Sequence, residues 1–136
     1  MPARSKSRKR ALDILYAAEL RGQDPVAELD AAIAAGAGPT NPYTADLVRG
    51  VAAHRERIDE LLTTYSQAWM LDPRPSFERN ALRIGVLELL YVDDVPAAVA
   101  VSEAVALVRN LSTDDSPAFV NGVLGSMLRD RESLTP

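Results

Sequence analysis

The sequence has no cysteine, one histidine and one tryptophan, and only 5 % of its residues are aromatic. Without cysteine there can be no disulfide, thiolate zinc site, iron–sulfur cluster or cysteine nucleophile, a composition compatible with a reducing compartment. The one histidine, His54, stands among Arg55, Glu56 and Arg57. With no second histidine or thiol it cannot complete a common zinc site, and a solvated or edge position is its simplest reading. Nothing marks the oriented base and oxyanion hole that a serine nucleophile requires. No glycine-rich loop follows a strand, so phosphate cradles of the nucleotide-binding kinds are missing. No apolar run approaches the roughly 18 residues of a membrane span, and no hydrophobic signal core follows the basic start. The expectation is a protein that is not an enzyme, carries no cofactor or metal, has no membrane association and is cytoplasmic.

What is present begins with charge. The 136 residues carry a formal net charge of −4, and 47 % are hydrophobic, as suits one globular domain. Residues 1–10 hold Arg4, Lys6, Arg8, Lys9 and Arg10 and no acid, while the rest holds 10 basic and 19 acidic side chains. The chain is a basic arm on an acidic body. Phosphate contacts are expected locally, near the arm, and the body suits a second, basic partner.

Strand patterns are scarce, and proline, glycine and asparagine punctuate six helical segments. The first runs from about Arg4 to Leu20, before Gly22. A short, alanine-rich second follows Pro25 and ends at Gly36. The third is read as one long helix from Pro42 to Tyr65, with Leu47, Val48, Val51, Ile58, Leu61 and Leu62 on its buried face. Asp72-Pro73-Arg74-Pro75 breaks it. Ser76 is expected to cap the fourth, Phe77 to Val92, which is apolar nearly all round and so belongs in the middle of a bundle. The fifth spans about Ala98 to Asn110. The sixth opens with Ser116 as cap and Pro117 in its first turn, and Asp114 and Asp115 there are read as partners of the helix dipole. Residues 132–136 are expected to fray. The fold expected is all-α, a single-domain compact bundle of about six to seven helices.

Two features carry functional signal. The arm Ser5-Lys6-Ser7-Arg8-Lys9-Arg10 leads directly into a helix, and such cations neutralise phosphates with salt-sensitive affinity. A solvated terminus, or a transit peptide, fits the same composition, although Asp13 and Glu19 weigh against the latter. On the last helix, Phe119 and Asn121 fall near opposite margins of the stripe made by Val120, Val123, Leu124, Met127 and Leu128. Phe119 can be core and Asn121 backbone-bonded, or the ring can stack on an unpaired base and the amide read a base edge. Gly122 within that helix suggests a close helix–helix approach.

The string Phe119-Val120-Asn121-Gly122-Val123-Leu124 closely resembles the C-terminal signature of the NusB family. Ala81-Leu82-Arg83-Ile84, Glu88-Leu89, Asp94-Val95-Pro96 and Val101-Ser102-Glu103-Ala104-Val105 resemble its central pattern, in order. Asp114-Asp115-Ser116, Leu47-Val48-Arg49-Gly50-Val51 and the opening Arg8-Lys9-Arg10-Ala11 with Ile14-Leu15-Tyr16 extend the similarity over nearly the whole chain. The resemblance implies an all-helical transcription antitermination factor. Such a factor pairs with the ribosomal protein NusE, binds boxA RNA in the nascent transcript and joins the RNA polymerase elongation complex with other Nus factors, chiefly on ribosomal RNA operons. It implies RNA contacts at Arg4, Lys6, Arg8, Lys9, Arg10, Tyr16, Asp115, Phe119 and Asn121, and partner contacts at Tyr16 and Glu78. Family members occur as monomers and as homodimers, so a homodimer stands among the implied partners. Ala118 departs from a lysine found in some relatives, and Arg109-Asn110 from an alanine–lysine; both bear on RNA affinity rather than on fold. Two alternatives remain: the isolated NusB-like domain of a ribosomal RNA cytosine methyltransferase, and a protein-only interaction module. The expected mechanism brings the arm and the front of the last helix together as one docking surface for single-stranded RNA.

Overall fold

Local chemistry sets most helix boundaries. In the computed structural model, which describes residues 3–66, 69, 74–109 and 115–136, α1 spans Ala3–Arg21. It stops because Gly22 takes φ 65°, closing a cap in which Gly22 N donates to Glu19 O and Gln23 N to Ala18 O. Helix α2, Pro25–Ala34, starts where the Asp24 carboxylate accepts from Val26 N, and ends before Gly36 (φ 76°) in the same manner. Helix α3, Pro42–Ala53, is capped by Asn41, whose side chain accepts from Tyr43 N.

The long third helix expected from the sequence is two helices. Helix α3 ends at His54 (φ −109°, ψ 15°), and α4, Arg55–Tyr65, begins there. The His54 ring stacks on Tyr91, with centroids 3.9 Å apart. Val51 and Ile58 are seven residues apart and nearly in phase on a helix, so the apolar stripe runs through the break without a visible fault.

Helix α5, Ser76–Tyr91, is the centre of the bundle, with every residue from Asn80 to Leu90 buried. Ser76 does not cap it. Pro75 holds the cap position, and the Ser76 hydroxyl donates instead to Glu19. Around α5 pack α1, α3, α4, α6 (Ala97–Arg109) and α7 (Ser116–Arg129). Asp115, not Ser116, occupies the cap position of α7, and Ser116 is its buried first residue. Asp72, Pro73, Asn110 and Asp114 lie outside the described residues. The segment expected to fray, residues 132–136, overlaps a short α8, Arg131–Leu134, with Leu134 packed on the core and Arg131 Nε donating to Leu89 O at 2.9 Å.

Among the described residues there are eight helices and no strand. Buried aliphatic side chains from every long helix join one core, each worth about 1.5–3 kcal/mol. The close approach expected at Gly122 is absent, for that residue is exposed with no atom near its missing Cβ. It occurs at Gly85 instead, where a Cβ would meet Leu124 Cδ1 at 2.6 Å and Ala104 Cβ at 3.0 Å. Gly85 thus lets α6 and α7 close on the middle of α5.

Candidate nucleic-acid interface

Helical phase divides the arm's cations. At about 100° per residue, Arg4 and Arg8 share a side with Ala11 and Leu15, and of these Arg8, Ala11 and Leu15 are buried. Arg8 is only 4 % exposed. Its Nε donates to both carboxylate oxygens of Glu88, at 2.8 and 2.9 Å, and its Nη1 to Glu103 at 2.9 Å. Glu88 is itself buried and also accepts from the Tyr43 hydroxyl. Burial, and then the Glu88 carboxylate, push the Tyr43 phenol above its usual range, so it stays a donor. Ser5 Oγ donates to Glu103 at 2.6 Å. The expectation that Arg8 meets RNA phosphate is therefore corrected: its charge is consumed inside the fold, joining α1, α3, α5 and α6.

Arg4 is intermediate. It makes a two-pronged pair with Asp94 at 2.9 and 3.2 Å and lies 4.2 Å over the Tyr43 ring, but both charged partners are exposed. Pairs of that kind contribute little and exchange readily. Lys6, Lys9 and Arg10 are exposed, and among the described residues none of them forms an ion pair. Lys6 and Arg10 stand one turn apart on a cleft of about 400 Å³ closed by Pro39, Thr40, Asn41 and Thr44. Lys9 lies on the other flank, in line with Tyr16, which is 36 % exposed.

A second cluster sits at the far end of α5. Arg74 donates from Nε to Glu78 at 3.0 and 3.1 Å and pairs through Nη2 with Asp115 at 3.0 Å. Its guanidinium lies 4.4 Å over the centre of the half-buried Phe119 ring. Glu78 is fully buried, so the expectation that it touches a partner directly is also corrected, the Arg74 side chain standing on its carboxylate. Asn121 is exposed but stands about 200° from Phe119 around α7, so one strand cannot meet both on the same face.

The arm and this cluster do not converge. Helix α1 runs antiparallel to α5: Arg8 pairs with Glu88, while Glu19 accepts from Arg79 at 2.9 Å and Asn80 at 3.0 Å. Glu78 and Glu88 are ten residues apart, about 15 Å along the helix axis. The two regions lie toward opposite ends of α5, and Tyr16 falls between Arg8 and Glu19 along α1.

Glu19 also carries a pH dependence. Burial alone would raise its carboxyl, but hydrogen bonds from Ser76 and Arg79 outweigh that and hold it below the usual carboxylate range. A depressed folded value gives stability that is present above the unfolded value, about 4.3, and lost as pH falls through the folded one. Thermal melts of wild type and Glu19→Gln should therefore differ at neutral pH and draw together in acid. A gap that stays constant with pH would remove Glu19 from this role.

Arg74, Tyr43, Glu88 and Glu103 were not foreseen as members of these clusters. No described helix is long and apolar enough to cross a membrane, and no group of three or more metal-ligating side chains occurs among the described residues.

Comparison with known proteins agrees with this architecture. The model of the NusB family matches residues 5–129. The transcription antitermination protein NusB of Nocardioides sp. is 66 % identical over 134 residues, covering 98 % of this chain and 99 % of that protein. Its counterpart in Beutenbergia cavernae is 56 % identical, covering 95 % and 91 %. None of these names carries a catalytic activity. Among solved structures, T. maritima NusB superposes with a TM-score of 0.82 at 26 % identity, covering 96 % of this chain and 93 % of that one. A chain from a complex of the antitermination factors NusB and NusE with dsRNA gives 0.78 at 28 % identity, covering 93 % and 96 %. With the family pattern matched over nearly its whole length and the same helical fold, this chain belongs to the NusB family.

Proposed function

We propose that this chain is a transcription antitermination factor, a cytoplasmic adaptor without catalytic activity. In this reading it binds boxA-type nascent RNA together with NusE and joins the RNA polymerase elongation complex and other Nus factors, chiefly on ribosomal RNA operons. The observation that carries the reading is the trio Lys6, Lys9 and Arg10: exposed cations without ion-pair partners among the described residues, on the first turns of α1. Because the remainder of the chain is net acidic, RNA phosphates are drawn to this end and repelled elsewhere, while a basic ribosomal protein suits the rest. Relatives named as antitermination proteins, and a matching fold solved with NusE and RNA, support the same assignment.

The test is charge reversal at the trio. The variant Lys6→Glu, Lys9→Glu, Arg10→Glu should keep its helical spectrum, since no buried contact is touched. Its affinity for a boxA-type RNA should fall by roughly 10- to 100-fold. The slope of log affinity against log salt should flatten by about two, since each single-strand phosphate contact contributes about 0.7. Unchanged RNA binding would defeat the proposal.

A further inference from the structure

We propose that Arg74 is a base-stacking residue, held between Phe119 beneath it and one unpaired RNA base above it, at a subsite chemically distinct from the phosphate-binding arm. The inference rests on the reading that this chain binds single-stranded RNA.

Hydrogen bonds to a guanidinium lie in its plane. Here the plane's edges are engaged by Glu78, on Nε, and by Asp115, on Nη2. One face is covered by the Phe119 ring at 4.4 Å. What such a group offers to a ligand is its other face, and a flat π-surface is what stacks there. The Arg74 side chain keeps 17 % of its surface exposed, and that of Asp115 beside it 65 %.

Charge argues for a base rather than a phosphate. Two carboxylates meet a single guanidinium, so the cluster is net negative, unlike Lys6, Lys9 and Arg10 at the other end of α5. A phosphate would meet repulsion from Asp115, whereas an uncharged base would not. Preorganisation points the same way. Glu78 is fully buried one helical turn from Arg74, so the arginine is already fixed, and little side-chain freedom remains to be lost on binding. The roughly 15 Å between Glu78 and Glu88 along α5 then sets the strand's course, with phosphates on the arm, the chain along α1 past Tyr16, and one base turned onto Arg74.

The experiment uses the full chain and a fluorescent boxA-type RNA, with a set of derivatives in which each position in turn is abasic. For the wild type, one abasic position should lower affinity by about tenfold, the order a stacked base contributes, without changing the salt slope. Arg74→Lys keeps a cation for Glu78 but loses the plane. It should bind intact RNA about tenfold more weakly, and should lose nothing further at that abasic position. A phosphate contact would survive in the lysine variant, so wild-type affinity in Arg74→Lys overturns the proposal. So does a wild-type scan in which no single abasic position matters, a measurement that needs no substitution and holds whatever the variant's stability. If the unaltered chain binds no RNA with or without NusE, the functional reading itself falls. If it binds and only the stacking signature is missing, the platform alone falls.

Discussion

Arg8→Ala is expected to destabilise the fold by about 3–5 kcal/mol, the range found when one partner of a buried ion pair is removed. The loss follows from what remains. Glu88 is 1 % exposed and would keep only the Tyr43 hydroxyl, while Glu103 would lose its strongest donor. A buried carboxylate cannot return to water without opening the contact between α1 and α5, so the cost falls on the whole bundle. Urea denaturation should show it as a lowered midpoint with little change in slope. Lys9→Ala, one residue along but facing solvent, should stay within about 0.5 kcal/mol of wild type. The double replacement Arg8→Met, Glu88→Leu should recover a large part of the loss, since apolar side chains of similar volume often substitute for a buried pair. Equal stability of Arg8→Ala and Lys9→Ala would mean that Arg8 is free at the surface. The same comparison guards RNA experiments, because weak RNA binding by an Arg8 variant reports damage to the scaffold.

By composition alone, nothing sets Arg8 apart from the other cations of the arm. Five cations in ten residues are conspicuous by number, yet number carries no direction. Phase does, and Arg4 and Arg8 lie on the same line as Ala11 and Leu15. What the sequence could not reveal was the acid that meets them, since Glu88 is eighty residues away. The centrality of α5 was legible for the converse reason: a segment apolar nearly all round has no solvent face to offer. The prolines at residues 25, 42 and 117 mark helix starts because proline at the first turn sacrifices no bond. The break at His54 was hidden, since the buried row continues in phase across it. Gly122 drew attention by lying in the last helix, whereas the glycine that permits close packing is Gly85, masked by its apolar neighbours. In the sequence Arg74 reads as part of a proline-rich breaker, whereas in the fold it holds Glu78, Asp115 and Phe119 together. The separation of the arm from that cluster depends on α1 running antiparallel to α5, which no local pattern encodes.

Glu78→Lys should also destabilise the protein by about 3–5 kcal/mol. An exposed glutamate on a partner-facing surface could be reversed with the fold intact, but this carboxylate is fully buried and accepts twice from Arg74. Lysine there would place an ammonium against the guanidinium, with no acid to answer it in the interior. Arg74 would be pushed off Phe119, and the start of α5 would loosen where Glu19, Ser76, Arg79 and Asn80 are bonded together. Glu78→Gln keeps a neutral acceptor and the side-chain shape, so its cost should be smaller, about 1–3 kcal/mol. Swapping the pair, as Arg74→Glu with Glu78→Lys, should restore only part of the loss, because the new carboxylate would face Asp115. Urea midpoints of the four proteins rank these expectations directly. If Glu78→Lys melts and unfolds like the wild type while losing its protein partner, the carboxylate must reach solvent and Arg74 does not hold it. If the midpoint drops as expected, loss of partner binding in that variant is a consequence of a disordered corner rather than of a missing contact.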